Sequence, residues 1–388
     1  MNNTIKLAVA SALLAAASTA SAAGGIVAGD WTLDIGGIVN AYYTSTKTTG
    51  VAGGLAAANN TTTKTASNIT TGLLPNYLIV SGKTRQNDLD VGFTISIQPG
   101  SSTTEAGGLG SLNQRQAFLT FGDASWGSIK LGKDLGIYAS DAILNDMTLL
   151  GVGSHAGAAG GNTTLGRIGS GYIYADWKSQ IAYTSPNFNG FSFTAGVTQA
   201  WNDVSTTVDA RGGKEPAFEA KAAYAFAGDV SGKVWASGIS QNMETYDKTS
   251  TGWDLGANVN MAGFGLTGYY GEGKGMGSAT QFGAGGGYAG YVASTSEKLD
   301  SKDWYVQGTY TLPGVGTKLG VSYGDSKIDH AAGDGTNSNS MWTGGVYHPL
   351  TKHLNLVAEY SDVQNKSTGT TETQGHAKTM SLGAILFF

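Results

Sequence analysis

Hydrophobic and polar residues alternate along much of the chain with a period of two. Between residues 31 and 43 every second residue is apolar or small, and most positions between them are Thr, Asp, Gly or Asn. The same alternation returns at residues 91–97, 191–197 and 253–261. Successive side chains of a β-strand point to opposite faces, so this pattern predicts strands with one apolar face. Such segments, about ten residues long, can cross a bilayer as tilted strands.

The connections between these segments alternate between short turns and long polar loops. Seven connections are short, at residues 86–88, 122–125, 186–190, 227–232, 262–263, 313–316 and 349–352. Eight are long, at about residues 45–73, 99–112, 134–175, 201–216, 244–251, 272–302, 325–340 and 362–375. Together these fifteen connections join sixteen strands. An even number of strands with short turns at one end and long loops at the other is typical of a bacterial outer-membrane barrel.

A soluble β-sandwich would also show alternation, because one face of each of its sheets is apolar. Two features disfavour it. Aromatic residues gather near strand ends, as expected of girdles at the two water interfaces: Trp31, Tyr42, Tyr43, Trp126, Tyr183, Trp201, Trp253, Tyr269, Tyr270, Trp304 and Trp342. The opposite face carries charges in mid-strand: Lys130, Lys178, Glu219, Lys221, Asp254, Lys318 and Glu359. A water-filled lumen accommodates such charges and a packed interior does not. The sequence therefore predicts an all-β fold, a sixteen-stranded antiparallel transmembrane β-barrel.

The two ends of the chain fit this fold. Residues 1–22 contain Lys6, an apolar run and small residues at Ala20 and Ala22, which predicts a secretory signal peptide. Residues 23–388 are then a single barrel domain. Residues 379–388 form a closing strand that ends at Phe388 and is expected to pair with the strand beginning at Trp31, which removes the edges of the sheet.

Composition narrows the chemistry. The chain has 60 Gly, 18 Tyr and no Cys, so neither a disulfide framework nor a thiolate metal site is expected. Without Lys6, 22 basic residues face 28 acidic ones, a net charge of −6 that argues against nucleic acid as a partner. The glycines at 285, 287 and 290 match G-x-G-x-x-G, but no βαβ unit surrounds them. We therefore predict no enzyme activity, cofactor or metal.

Several stretches resemble the general Gram-negative porin family, the sixteen-stranded trimeric pores. They are NQRQAFLTFGDASWGSIKLGKDLGIY from Asn113, SQIAYTSPNFNGFSFTAGV from Ser179, QGTYTLPGVGTKLGVSYGDSK, VYHPLTKHLNLVAEYS and the closing SLGAILFF. The resemblance implies a homotrimer in the outer membrane of a Gram-negative bacterium, in contact with lipid and lipopolysaccharide. It also implies that the third loop, about residues 134–175, folds into the lumen, and that Phe388 is read by the barrel assembly machinery. The implied function is passive diffusion of ions and small hydrophilic solutes.

The resemblance also points to residues of a pore constriction. Arg115 opens the fourth strand in the family's Arg-x-Ala-Phe-like pattern, and Arg167 precedes the sixth strand. Porins oppose such arginines with carboxylates on the third loop, for which Asp141 and Asp146 are the candidates. A transverse field between them would orient dipolar solutes and favour polar ones. The alternative is that these arginines only attach the loop to the wall.

The chain departs from the family at the start of the second strand. Many porins carry a basic residue there, whereas this chain has Asn76. Lys83 lies further on, towards the short turn, and Lys130 takes the inward phase of the fifth strand; both are candidates for the basic wall of the constriction. Ion selectivity is therefore left open by the sequence. Two other functions remain in view: a porin selective for anions or for one nutrient, and a surface adhesin or structural protein of the outer membrane.

Overall fold

The computed structural model describes residues 25–50, 63–101, 112–154, 162–200, 215–243, 246–277, 290–292, 295–329, 335–369 and 372–388. Sixteen strands form the wall: β1 Trp31–Gly50, β2 in two parts (Lys64–Thr70 and Tyr77–Gln86), β3 Leu89–Pro99, β4 Leu112–Asp123, β5 Gly127–Leu135, β6 Trp177–Thr184, β7 Phe191–Thr198, β8 Ala217–Phe226, β9 Val230–Met243, β10 Lys248–Met261, β11 Phe264–Lys274, β12 Asp300–Thr311, β13 Lys318–Asp329, β14 Thr336–Pro349, β15 Leu354–Ser367 and β16 Thr373–Phe387. Short strands Ile26–Ala28, Tyr291–Val292 and Glu297–Lys298 lie outside this series.

The wall closes on itself. Each strand pairs antiparallel with its neighbours in sequence, and β16 pairs with β1 from Ile38↔Phe387 to Gly50↔Gly375. The Gly37 N–H also donates to the Phe388 carbonyl at 2.9 Å. Closure leaves no unpaired sheet edge, so backbone groups of the wall are satisfied within the membrane. The sixteen-stranded antiparallel barrel and its closing strand are thereby confirmed.

The outer and inner faces of the wall differ in polarity. On β16 the residues Met380, Leu382 and Leu386 are exposed on the outside, as the alternation predicted. Of the aromatic residues assigned to girdles, Tyr43, Trp126, Trp253 and Trp342 are exposed. The assignment was wrong for Tyr42 and Tyr269, which are buried on the inner face, because each lies one residue out of phase with the apolar positions of its strand.

All seven predicted short turns lie at junctions of consecutive strands, but several of the long loops are shorter than predicted. The loop expected at residues 325–340 shrinks to the residues between Asp329 and Thr336. Similarly, β1 continues to Gly50, and β2 begins at Lys64. These strand ends are rich in Thr, Ser, Asn and Lys. Hydrophobic alternation ends where a strand leaves the bilayer, whereas backbone pairing does not require it.

The second strand is interrupted between Thr70 and Tyr77. Asn40 of β1 forms hydrogen bonds with residues of this break. Its side-chain oxygen accepts from the Gly72 N–H at 2.9 Å, and its backbone N–H donates to Asn76 Oδ1 at 2.7 Å. The Leu73 N–H donates to the Gly151 carbonyl at 2.9 Å. The break therefore turns the backbone of β2 towards residues that follow β5 in the chain.

The described residues between β5 and β6, 136–154 and 162–176, are here called the inserted segment. They include the helix α1, Ser140–Leu144, and a 3-10 helix, Met147–Leu150. The Tyr305 hydroxyl of β12 donates to the Ala142 carbonyl at 2.9 Å, and Gln307 accepts from the Met147 N–H at 2.7 Å. Tyr305 and Gln307 are buried, and Val306 between them is exposed on the outer face. The inserted segment thus contacts the inner face of a strand far around the wall from β5.

No helix among the described residues is both long enough and apolar enough to cross a membrane. The predicted signal peptide, residues 1–22, lies outside the described residues.

Candidate pore constriction

Asp141 on α1 lies between two wall lysines. Its carboxylate forms an ion pair with Lys233 of β9, and its second oxygen is 3.4 Å from Nζ of Lys221 on β8. Lys221 Nζ also donates to Ser140 Oγ at 3.0 Å. Asp141 is 2% exposed, whereas both lysine side chains keep part of their surface accessible. Two positive charges therefore face one negative charge where α1 meets the wall.

The electrostatics of Asp141 follow from these neighbours. Burial by itself raises the pKa of its carboxyl group, but the positive charges of Lys221 and Lys233 outweigh burial and hold the pKa below its usual range. Asp141 is therefore ionised at neutral pH. The predicted arginines do not take part in this contact, since no described ion pair joins Arg115 or Arg167 to Asp141.

Asp146 serves the internal structure of the inserted segment. It is the N-cap of the 3-10 helix, where its carboxylate accepts from the Thr148 N–H at 3.0 Å and from the Thr148 hydroxyl at 2.6 Å. It also accepts from the Tyr172 hydroxyl at 2.8 Å. Capping satisfies N–H groups that have no partner within the helix. Asp146 is buried and therefore holds the segment's shape.

Arg167 is fully buried, with 0% of its surface exposed. Its Nη1 donates to the carbonyls of Met341 at 2.9 Å and Ser170 at 3.3 Å, and its Nη2 donates to the hydroxyl of Ser322. Met341 and Ser322 belong to β14 and β13. The bonds to Met341 and Ser322 attach the inserted segment to the wall, which is the alternative role considered for the arginines, and all three bonds keep the guanidinium away from water.

Arg115 lies on β4 and is 8% exposed. Its Nη2 donates to Asn162 Oδ1 at 3.3 Å, and its guanidinium carbon is 5.7 Å from the centre of the Trp177 ring. No carboxylate of a described residue forms an ion pair with it. Arg115 thus differs from Lys221 and Lys233, each of which has a carboxylate partner.

Lys130 and Lys83 lie on the wall away from α1. Lys130 forms an ion pair with Asp134, four residues on, and its Nζ is 4.7 Å from the centre of the Phe118 ring. Lys83 is exposed near the short-turn end of β2, paired in register with Thr32 and Gly92. In the described part of the chain neither lysine contacts Asp141 or Asp146.

Among the described residues, cavities of two kinds border the inserted segment. One has a volume of about 470 Å³ and is bordered by Asn145, Asp146 and Met147 on one side and by polar residues of β9 to β13 on the other, among them Asp229, Asn258, Asn260, Thr309 and Lys318. The other has a volume of about 210 Å³ and an almost wholly apolar lining that includes Ile38, Leu73, Ile143, Leu149 and Ile168. We call them the polar cavity and the apolar cavity.

Comparison with known proteins agrees with this architecture. The sequence profile described as Gram-negative porin matches residues 8–368. The chain belongs to the Gram-negative porin family. It is a porin of the outer membrane, a β-barrel channel for passive diffusion, and not an enzyme. No curated protein matches its sequence.

Solved structures share the porin's fold at low sequence identity. The anion-selective porin from Comamonas acidovorans matches with a TM-score of 0.64 and 15% identity over 92% of this chain and 100% of that one. The outer membrane channel DcaP of Acinetobacter baumannii matches with a TM-score of 0.66 and 17% identity over 94% and 100%. OmpF of Salmonella typhi, solved in complex with daunomycin, matches with a TM-score of 0.58 and 15% identity over 92% and 99%.

Sequence reasoning missed two glutamates as site residues of the porin. Glu219 of β8 accepts from the N–H groups of Ile137 and Tyr138, both at 2.8 Å, and pairs with Lys178. Glu359 of β15 accepts from the N–H groups of Val152 and Gly153, at 2.7 and 2.8 Å. The sequence feature that pointed to these glutamates was their position in mid-strand, on the face opposite the apolar residues. It identified them as wall charges without revealing that they hold the inserted segment.

Proposed function

We propose that the porin conducts ions and small hydrophilic solutes past the inserted segment, through a passage that includes the polar cavity. The lining supports this: Asn145 and Asp146 on the segment face amide and hydroxyl side chains of β10 to β12. Such groups exchange hydrogen bonds with water and with polar solutes. A sixteen-stranded barrel is also wide enough to leave an aqueous channel.

We further propose that the constriction favours anions over cations. The observation that carries this is the contact of Asp141 with two partly exposed lysines, Lys221 and Lys233. One carboxylate cannot balance both, so the contact keeps a net positive charge beside α1. A positive potential between low-dielectric walls raises the local concentration of anions.

The other predicted constriction residues take different parts in this proposal. Lys83 adds a positive charge to the wall near the short-turn end. Lys130 adds little, because Asp134 balances it. Arg167 and Asp146 position the inserted segment from within. Arg115 borders the apolar cavity and is considered separately below.

The assembled state is part of the same proposal. We infer a homotrimer that packs through part of its apolar outer wall and contacts lipid and lipopolysaccharide with the rest. The structure titled OmpT of Vibrio cholerae in its trimer form, which matches with a TM-score of 0.53 and 14% identity over 92% of this chain and 99% of that one, supports this. We also infer that residues 1–22 are removed on export and that Phe388, exposed at the end of β16, is read by the assembly machinery.

Reversal potentials across a salt gradient test the selectivity. The wild-type porin in a planar bilayer is expected to prefer chloride over potassium. The double variant Lys221→Met, Lys233→Met leaves Asp141 unbalanced, so the preference should change to potassium. The salt concentrations on both sides should stay below about 0.1 M, because the Debye length is then near 10 Å or longer. The change in reversal potential is then large enough to measure.

Lys352→Met is the matched control, because Lys352 lies exposed in a short turn. It should leave the reversal potential close to that of the wild type. An unchanged reversal potential in the double variant would remove the two lysines from the constriction. A folded wild-type protein without any conductance would overturn the proposed function as a whole.

A further inference from the structure

The apolar cavity lies between the inserted segment and the wall near β1, β2 and β4 to β6. Leu74 of the β2 break, Ile143 and Leu149 of the segment, and Ile79 of the wall supply its apolar surface. Arg115 is the charged residue among those that line it. A porin lumen needs polar walls for its solutes, so an apolar cavity within it is unexpected on grounds of conduction alone.

Arg115 borders this cavity together with aromatic residues. Trp177, over which its guanidinium lies at 5.7 Å, also lines the cavity, as do Tyr77 and Tyr174. Its side chain donates to the neutral amide of Asn162. No carboxylate of the described residues pairs with this buried guanidinium, and burying a charge without an opposite charge costs free energy. A guanidinium presents five N–H donors in a planar fork that matches a carboxylate.

The volume of the cavity limits the size of the ligand that it can hold. A cavity of about 150 Å³ lined by apolar residues can hold benzene, and this one measures about 210 Å³. It can therefore contain one aromatic ring or a short branched chain together with a carboxylate. A second charged group on the ligand would have to lie against Leu149 or Ile168 without a partner, which disfavours dicarboxylates.

We propose that the apolar cavity is a binding site for small apolar monocarboxylates. The carboxylate binds Arg115, and the hydrocarbon body lies between Leu74, Ile143 and Leu149. This site goes beyond the proposed channel: it gives the porin a place beside the passage at which one class of anion is retained while other solutes diffuse past.

Fluorine NMR tests the site with 4-fluorobenzoate as the probe. The porin in lipid nanodiscs is titrated into the probe, and line broadening by empty nanodiscs is subtracted. We compare 4-fluorobenzyl alcohol, which has the same ring without the charge, and succinate as a competitor. The acid should bind at least about tenfold more tightly than the alcohol, since a charge-assisted hydrogen bond contributes that much. Succinate should not displace it.

Three variants locate the binding. Arg115→Met should abolish the preference for the acid over the alcohol, and Leu149→Trp, which fills the cavity, should prevent binding of both. Arg85→Met is the matched control, because Arg85 is an exposed arginine paired with Asp90 and Asp123 and does not line the cavity. It should bind the acid as the wild type does. Folding of each variant is checked by its mobility on gels without heating.

Equal binding of acid and alcohol by the wild-type porin would overturn the role of Arg115, and no binding of either would overturn the site; both outcomes are independent of how the variants fold. Loss of binding in Arg85→Met as large as in Arg115→Met would mean that the wall attracts anions in general, which also overturns the site. Conductance of the same wild-type sample separates the two proposals. A conducting porin that binds no probe overturns only the site, and a porin that binds the probe without conducting overturns only the channel.

Discussion

The polar cavity and the apolar cavity lie on opposite sides of the same short stretch, residues 140–150. Leu144 borders both. On one side Asn145 and Asp146 face amides and hydroxyls of the wall, whereas on the other Ile143 and Leu149 face leucines and isoleucines. The inserted segment is thus amphipathic across its thickness. It separates the polar cavity from the apolar cavity, and burial of its apolar side, at about 25 cal/mol per Å², helps to keep it in place.

The largest effect on the separation of the two cavities is expected from Glu359→Ala. Glu359 accepts from the N–H groups of Val152 and Gly153 and from the Tyr347 hydroxyl, which hold the segment against β15. Each buried N–H left without an acceptor costs about 1–3 kcal/mol. The variant should lose about 2–6 kcal/mol of unfolding free energy. Its single-channel conductance should rise, because the released segment no longer separates the two cavities.

Glu359→Gln is the conservative comparison for this prediction. It keeps an acceptor oxygen of the same shape, so it should lose less stability than the alanine variant and conduct more like the wild type. Urea unfolding followed by tryptophan fluorescence and single-channel recording supply the two measurements. A wild-type conductance in Glu359→Ala would show that the wall glutamate does not hold the segment.

A smaller effect is expected from blocking the polar cavity without moving the segment. Asn258 of β10 lines this cavity and donates to Thr267 Oγ1 at 2.8 Å. Asn258→Trp places a large ring in the passage, so single-channel conductance should fall while stability changes little. Val259→Trp is the control from the next position, which faces outward and is exposed. Equal conductance in the two variants would mean that the passage runs elsewhere.

The smallest effect is expected at the rim of the polar cavity. Asp229, exposed in the turn between β8 and β9, is the acidic residue on the wall side of this cavity's lining. Asp229→Asn removes one negative charge, so anion preference should increase slightly at low salt. At 1 M salt the Debye length is about 3 Å and the change should vanish. A shift that persists at high salt would place Asp229 within the constriction.

The wall of the porin could be predicted from the sequence because its determinants are local. Alternation in β1 and β16 fixed which residues face lipid, and turn residues such as Ala262 and Gly263 fixed where strands reverse. The predictions fail where the alternation of apolar and polar residues ends. The alternation predicts loops where polar strand ends continue the wall, and it predicts Tyr42 among the outer aromatics, although its hydroxyl donates to the Leu150 carbonyl inside the barrel.

The constriction could be predicted only in outline, because its contacts join residues far apart in sequence. The sequence offers Asp141 as a candidate for the constriction, but its partners Lys221 and Lys233 are 80 and 92 residues away. No periodic pattern encodes such a pairing. Arg167 was identified by position in the family pattern, and its complete burial depends on Ser322 and Met341, which belong to strands formed much later in the chain.

The contact between Glu359 and the inserted segment has a consequence for how the molecule is built. It joins Val152 to a residue 207 positions further along the chain. Contacts of such large sequence separation form late, because the intervening chain must first be ordered. We therefore expect an assembly intermediate in which Glu219 already holds the start of the inserted segment, whereas the stretch at Val152 is fixed only when β15 joins the wall.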